Sequence, residues 1–293
     1  VLRGEGEVSL PLLAESLRDH SPLADIPGIA FRRPDGGLHV NPPAAMVSAD
    51  RFPLPAIELL DRRRYRRSGR GSAVVVASRG CPLRCSYCSV GGAAWLPYRL
   101  RPVPHVVAEI ETAVVRHGAG FIDFEDENLS LDRGWFLELL QETRHRFGEG
   151  ALDLRAMNGL FPPTLDETVV AAMAAAGFKA LNLSLGSTHA EQLRRFHRAD
   201  VRAAFDRALD LAERHHLAAV GYIIVGAPHQ SAEESVDDLL FLAKRRVLAG
   251  VSVFYPAPGS PDFELCRRLG LLPGSLGRMR SSALPIEHTT RRV

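Results

Sequence analysis

The chain has four cysteines and two tryptophans in 293 residues and no apolar run long enough for a bilayer, and each shortage excludes something. A disulfide-stapled scaffold spreads paired cysteines through its loops. Here Cys81, Cys85 and Cys88 fall together and Cys266 lies far away, which excludes that framework and points to a reducing compartment and a metal. The runs "AVVVA" and "LAAVGYIIVGA" are too short to span a membrane, and no cleavable signal precedes the first folded unit. The expected location is therefore the cytoplasm, with no membrane partner. Charge of one sign is lacking as well: 36 basic side chains nearly cancel 34 acidic ones, so no global field favours nucleic acid or an anionic surface. The local exception is "DRRRYRRSGR" at 61–70, suited either to a phosphate or to a solvated linker. The chain begins with valine, so its natural amino terminus is expected to lie upstream.

What is there is ordinary globular material, 46% hydrophobic and 24% charged, enough for one large core or two smaller ones. From residue 72 onward, short β-branched apolar runs alternate with amphipathic stretches. Strands are expected near 72–78, 120–125, 151–157, 180–185, 218–225 and 250–255. Helices fall between them, near 104–117, 132–147, 165–176, 188–197 with 201–215, and 232–247. Thr164 with Glu167, Thr188 with Glu191 and Ser231 with Glu234 read as capping boxes, and Gly118 and Gly177 as left-handed C-caps. Repeated strand-helix units with nearly continuous apolar strands imply an α/β fold with a parallel sheet, either doubly wound or a curved partial barrel. Both place chemistry at the carboxyl ends of strands, where the cysteine cluster stands. Residues 1–71 differ: rich in Pro and Gly, they offer one helix near 8–18 and a small hairpin at "RRPDGGLHVNPP".

Thiols spaced C-x3-C-x2-C can converge on one metal centre. A structural zinc wants four closed ligands, and an electron-transfer cluster normally takes four cysteines. No second pair stands nearby, although Cys266 or a histidine remains open as a fourth ligand. Three ligands on a four-iron cluster leave one iron with an open position, which is what a catalytic metal needs. Cys266 itself reads as a small apolar core residue.

"CPLRCSYC", with Tyr87 as the aromatic before the last cysteine, resembles the signature of radical S-adenosylmethionine (SAM) enzymes. The resemblance implies a partial (β/α)6 TIM-like barrel, a 4Fe-4S cluster on Cys81, Cys85 and Cys88, and SAM chelating the fourth iron. It further implies reductive cleavage of SAM to a 5′-deoxyadenosyl radical that takes a hydrogen atom from a small-molecule or natural-product substrate. A flavodoxin- or ferredoxin-type reductant would supply the electron. By the same resemblance "FIDFEDENLS" places Asp126, Glu127 and Asn128 near the SAM amino group, and "LNLSLGS" places Ser184 and Ser187 near ribose and methionyl. Gly186 stands where many relatives carry Glu or Gln. Arg198 in "RRFHRADV" is similar to an arginine that neutralises the SAM carboxylate. "GYIIVGAPHQSAEE" resembles the segment near adenine, with Gly221, Ile223 and Gly226 allowing close approach.

"RGEGEVSLPLLAESL", "IPGIAFRRPDGG" and "FYPAPGSPDFE" resemble segments of the cobalamin-binding branch of these enzymes, in which a Rossmann-like cobalamin domain precedes the barrel. On that reading residues 1–71 are the remnant of such a domain with its linker, 72–262 the barrel and 263–293 a C-terminal extension. The D-x-H-x-x-G loop that supplies a histidine beneath cobalt is absent from these residues. The expectation is a chain that binds cluster and SAM but little cobalamin, the latter being left to a full-length protein in methylation or rearrangement chemistry. Two readings from other classes stand beside it: a zinc-stabilised nucleic-acid-binding module, and an iron-sulfur protein that only carries electrons. No added RNA-binding domain is visible, which argues against a nucleic-acid partner. His189, His197, His215 and His216 are candidate proton acceptors.

Overall fold

The computed structural model describes residues 1–91 and 96–275, so the tail of the expected C-terminal extension lies outside the described residues. Six parallel strands follow one another in chain order: β4 (Arg70–Val75), β7 (Ala119–Phe124), β8 (Asp153–Arg155), β9 (Ala180–Gly186), β10 (Ala218–Val225) and β11 (Leu248–Val253). The helices between them are α2 (Val103–His117), α3 (Arg133–Phe147), α4 (Glu167–Ala176), α5 (Ala190–Arg195), α6 (Arg202–Arg214) and α7 (Ala232–Lys244). The last helix, α8 (Pro261–Arg268), follows β11. This is the expected partial barrel of α/β units.

The barrel has a seam. β4, β7 and β8 form one ladder and β9, β10 and β11 another. Between them run only two parallel bridges, Leu154 to Phe178 and Leu160 to Leu183. The third strand was expected over 151–157, yet its ladder covers three residues, because the chain leaves β7 after Arg155 and rejoins β9 only at Leu160.

Alternation on β9 separates the two faces. Leu181, Leu183 and Leu185 are fully buried under the helices, whereas Ser184 and Gly186 face the barrel interior. Phe124 stacks on Phe178, and Phe136 meets Phe178 edge-on, filling the space between sheet and α3. Each such ring removed from water stabilises the fold by roughly 2–3 kcal/mol. Gly118 and Gly177 close α2 and α4 in left-handed conformations, as expected. Of the three capping boxes only Ser231 with Glu234 forms. Asp166 caps α4 instead, accepting from the Val169 amide at 2.9 Å, while the Thr164 hydroxyl lies 2.6 Å from that of Ser130. Thr188 is drawn away by the buried Asp238, to which its hydroxyl donates at 2.6 Å.

At the amino end, α1 (Gly6–Asp19) and the antiparallel pair β1 (Ala30–Arg32) and β2 (Leu38–Val40) match the expected helix and hairpin. The basic run folds into a hairpin, β3 (Arg66–Arg67) turning through Ser68 and Gly69 into β4. There Arg67 and Arg70 lie over the Phe121 ring, and Arg70 pairs with Asp153 at 3.2 Å. No helix among the described residues is long and apolar enough to cross a membrane.

Candidate functional site

The cysteine loop leaves the barrel where β4 ends and is tied at its base. β5 (Ser78–Arg79) and β6 (Arg99–Leu100) pair antiparallel across it, Ser78 opposite Leu100 and Arg79 opposite Arg99. Asp126, just beyond β7 and 2% exposed, accepts from the Ala77 amide at 3.2 Å, from the Ser78 hydroxyl at 2.5 Å and from the Ser78 amide. Burial pushes this carboxyl up to about 6 against the opposing pull of those donors, and Glu127 beside it adds to the rise. Gly80 sits at φ +80°, where a Cβ would lie 2.5 Å from the carbonyl oxygens of both Leu96 and Pro97. Only glycine fits where the two legs of the loop cross.

The thiols of Cys81, Cys85 and Cys88 are free and meet hydrogen-bond donors. Burial pushes the Cys81 thiol up, and the Leu83 amide, which donates to it, opposes that rise. The amides of Val90 and Gly91 donate to Cys88 Sγ at 3.4 and 3.3 Å. Cys85 is in reach of Tyr87 and Arg198. Behind the loop, Ser86 is gripped on both sides: its amide donates to the Phe196 carbonyl at 3.0 Å and its hydroxyl to Asp262 of α8 at 3.0 Å.

Above the loop opens a cavity of about 580 Å³ at the carboxyl ends of the strands. Nine of the expected residues line it: Cys81, Cys85, Tyr87, Cys88, Glu127, Asn128, Ser184, Arg198 and Ile223. Three do not. Asp126 lies beneath, holding the loop; Ser187 is buried and accepts from the His189 amide at 3.2 Å; Gly226 takes a left-handed turn outside the lining. Gly221 faces the helices, where a Cβ would meet Leu242 at 2.5 Å. None of His189, His197, His215 and His216 lines the cavity, and His215 instead pairs with Glu167 at 2.6 Å. Cys266 is fully buried beside Phe196, Ala227 and Phe254, the core role expected of it.

Sequence reasoning missed the far wall: Met157, Asn158 and Phe161 after β8, Tyr222 on β10, and Ser252 and Tyr255 around the end of β11. Their only signal is position at strand ends. Tyr222 lies flat because Gly250, whose Cβ would stand 2.0 Å from the ring, leaves it room; its hydroxyl accepts from Asn182 at 2.8 Å.

Arg198 carries the strongest chemistry of the wall. It donates to Tyr87 Oη at 2.7 Å and to the Ser184 carbonyl at 2.9 Å, and its buried Nε has no partner among the described residues. Asn128 Oδ1 is likewise buried without one. Buried polar atoms are ordinarily satisfied. The residues that carry these atoms both line the cavity, and a guanidinium and a side-chain amide there suit a ligand carrying both a carboxylate and an amino group; the methionyl end of SAM has both. Among the described residues no three His, Cys, Asp or Glu side chains come together around a single metal ion.

Comparison with known proteins does not favour the zinc-module reading. The Radical SAM superfamily matches residues 75–242, more than half of the chain. An uncharacterized methyltransferase of Pyrococcus horikoshii is 26% identical over 90% of this chain and 57% of its own length. The anaerobic magnesium-protoporphyrin IX monomethyl ester cyclase of Rubrivivax gelatinosus is 29% identical over 90% of this chain and 48% of its own. The structure of the radical S-adenosylmethionine methyltransferase TsrM from Kitasatospora setae, with cobalamin and a 4Fe-4S cluster bound, superposes with a TM-score of 0.72 at 21% identity, covering 94% of this chain and 55% of that one. The chain thus spans about half the length of the curated relatives it matches. With the C-x3-C-x2-C loop at the end of its first barrel strand and the superfamily match running through the helices that follow, the chain belongs to the radical SAM superfamily.

Proposed function

We propose that this chain is the radical-generating part of an enzyme that holds a 4Fe-4S cluster on Cys81, Cys85 and Cys88 and acts on a small-molecule substrate. The observation that carries the reading is that the three cysteines of the loop and Arg198 line one cavity at the strand ends. When bound, the reduced cluster and SAM supply a 5′-deoxyadenosyl radical able to take a hydrogen atom. The chain's own residues do the positioning. Arg198 offers its guanidinium to the carboxylate of SAM, and Asn128 its side-chain amide to the amino group. Tyr87 steadies Arg198, and Ser184 and Ile223 lie along the wall toward ribose and adenine. Met157, Phe161, Tyr222 and Tyr255 give the remaining wall an aromatic and apolar surface that excludes water from a reactive intermediate.

A cobalamin-dependent methylation or ring rearrangement is the whole protein's reaction on this reading. Relatives named methyltransferases and cyclases support it, as does the GEGE segment that opens the chain. Residues 1–71 then belong to the end of a cobalamin-binding-type unit and its linker, 72–262 to the barrel and 263–293 to an extension, with Asp262, which braces the cysteine loop from α8, as the last barrel residue. A cytoplasmic setting and a flavodoxin- or ferredoxin-type donor follow from a cluster that must stay reduced.

The test is anaerobic. Reconstituted with iron and sulfide, reduced with dithionite and given SAM, the chain is expected to bind four irons and release 5′-deoxyadenosine, read by mass spectrometry. Replacing Cys81, Cys85 and Cys88 together with Ala is expected to abolish iron binding and leave the far-ultraviolet circular dichroism unchanged. Four irons retained by that variant would overturn the assignment.

A further inference from the structure

The acidic segment at the start of α1 reaches across the molecule to the base of the cysteine loop. Glu5 takes Arg99 in a two-pronged pair, with Nη1 donating to Oε2 at 3.1 Å and Nη2 to Oε1, and accepts from Arg79 Nη1 at 3.1 Å. Glu7 accepts from Arg79 Nη2 at 2.6 Å. The two carboxylates are 10% and 14% exposed and the two guanidinium groups 27% and 15%, so water screens these pairs little. Phe52 completes the group: Arg79 lies over its ring at 4.0 Å and Arg99 at 5.5 Å, while Arg99 also donates to the Val47 carbonyl at 2.7 Å.

The two arginines hold a particular place. Arg79 and Arg99 face each other across the β5–β6 pair that closes the cysteine loop, and Arg79 stands two residues before Cys81. Without an acidic partner, two cations would stand opposed across a ladder only two residues long. Like charges directly opposite destabilise a strand pair. Burial alone would raise the Glu5 carboxyl, yet hydrogen bonds from Arg99 and Arg79 reverse that and hold it below the ordinary carboxylate range.

We propose that Glu5 is a positioning residue for the iron-sulfur centre: by neutralising and aligning Arg79 and Arg99 it fixes the geometry of the cysteine loop and sets the charge felt by the cluster. The cluster part rests on the function proposed above; the loop part does not. The segment before the barrel is then a working component of the radical site rather than a tether.

Two measurements on the full chain test it, with Glu5→Gln as the variant. In cluster-free protein, amide hydrogen exchange of the peptide covering 80–91 is expected to quicken about tenfold, the loss of one charge-assisted hydrogen bond, while α6 and α7 stay protected as in the wild type. In reconstituted protein, removing one negative charge is expected to shift the midpoint potential of the cluster upward and to speed iron loss to a chelator about tenfold. A purely structural role would leave the potential where it is. Arg245→Gln, which breaks a part-buried pair with Asp206 on α6, is expected to move neither reading. If Glu5→Gln does not fold, Glu5→Asp takes its place and is expected to show the same changes at smaller size. Unchanged loop exchange in a folded Glu5 variant overturns the inference whatever the cluster does, and an unchanged potential overturns its electrostatic part. A wild-type chain that takes up no iron overturns the proposed function and the cluster part together, and leaves the exchange result to decide the loop part.

Discussion

Asp126 shows how one buried carboxyl can serve a site from outside it. Its three hydrogen bonds join the exit of β4 to the exit of β7, so the first residues of the cysteine loop are held before any metal arrives. The sign of its titration follows from its burial. A folded-state value near 6 lies above the carboxylate's ordinary 3.8, so protonation favours the folded state. The contribution is full below about pH 4 and is lost as pH rises through 6, an effect on the order of 3 kcal/mol. Asp126→Asn cannot titrate. The stability of the wild type relative to that variant, read by urea unfolding of the cluster-free protein, is expected to fall by about that amount between pH 4 and pH 7. A flat difference over this range would mean that the carboxylate is more hydrated than its surroundings suggest.

At the scale of elements, the cysteine loop is a crossing of two legs rather than a free excursion, and Gly80 is the point of crossing. Gly80→Ala places a methyl against two backbone carbonyls that have no side chain to swing aside. The expected cost exceeds about 1 kcal/mol in thermal or urea unfolding, accompanied by a fall in bound iron after reconstitution. The alternation of strands and helices was legible from hydrophobic period alone, because each strand is apolar against its helices. β8 was drawn too long since its apolar spacing continues past Arg155 while its hydrogen bonds do not, and nothing local marks where a ladder partner is lost. Thr164 fails as a cap because its hydroxyl donates to the Phe161 carbonyl at 2.8 Å and meets that of Ser130, while Asp166 caps the helix; Thr188 fails because Asp238, far away in sequence, takes its hydroxyl. The cysteines and Arg198 could be named because their spacing and segments carry a known signature. The wall made by Met157, Phe161, Tyr222 and Tyr255 could not, since single residues at strand ends are assembled only by closure of the barrel.

At the scale of the molecule, the cysteine loop is braced from both ends of the chain, by Glu5 and Glu7 in front and by Asp262 of α8 behind. Its wall is shared between the two ladders. Cys81, Cys85 and Cys88 follow β4 in the first ladder, whereas Ser184 belongs to the second and Arg198 comes shortly after it. Across that divide the Arg198 guanidinium donates to the phenol of Tyr87, a residue lying between two of the cysteines.

On the proposed function, that single bond would make metal and SAM thermodynamic accomplices. If a loaded loop holds Tyr87, and through it Arg198, in the orientation that receives the carboxylate, then the factor by which the cluster tightens SAM must equal the factor by which SAM tightens the cluster. Excess SAM is therefore expected to slow chelator-driven iron loss from the reconstituted wild type. Tyr87→Phe, which removes the oxygen and keeps the ring against Phe196, is expected to weaken that protection and the SAM affinity of the loaded protein by the same ratio. The phenol is then less a wall of the pocket than its bookkeeper, keeping the two occupancies in step.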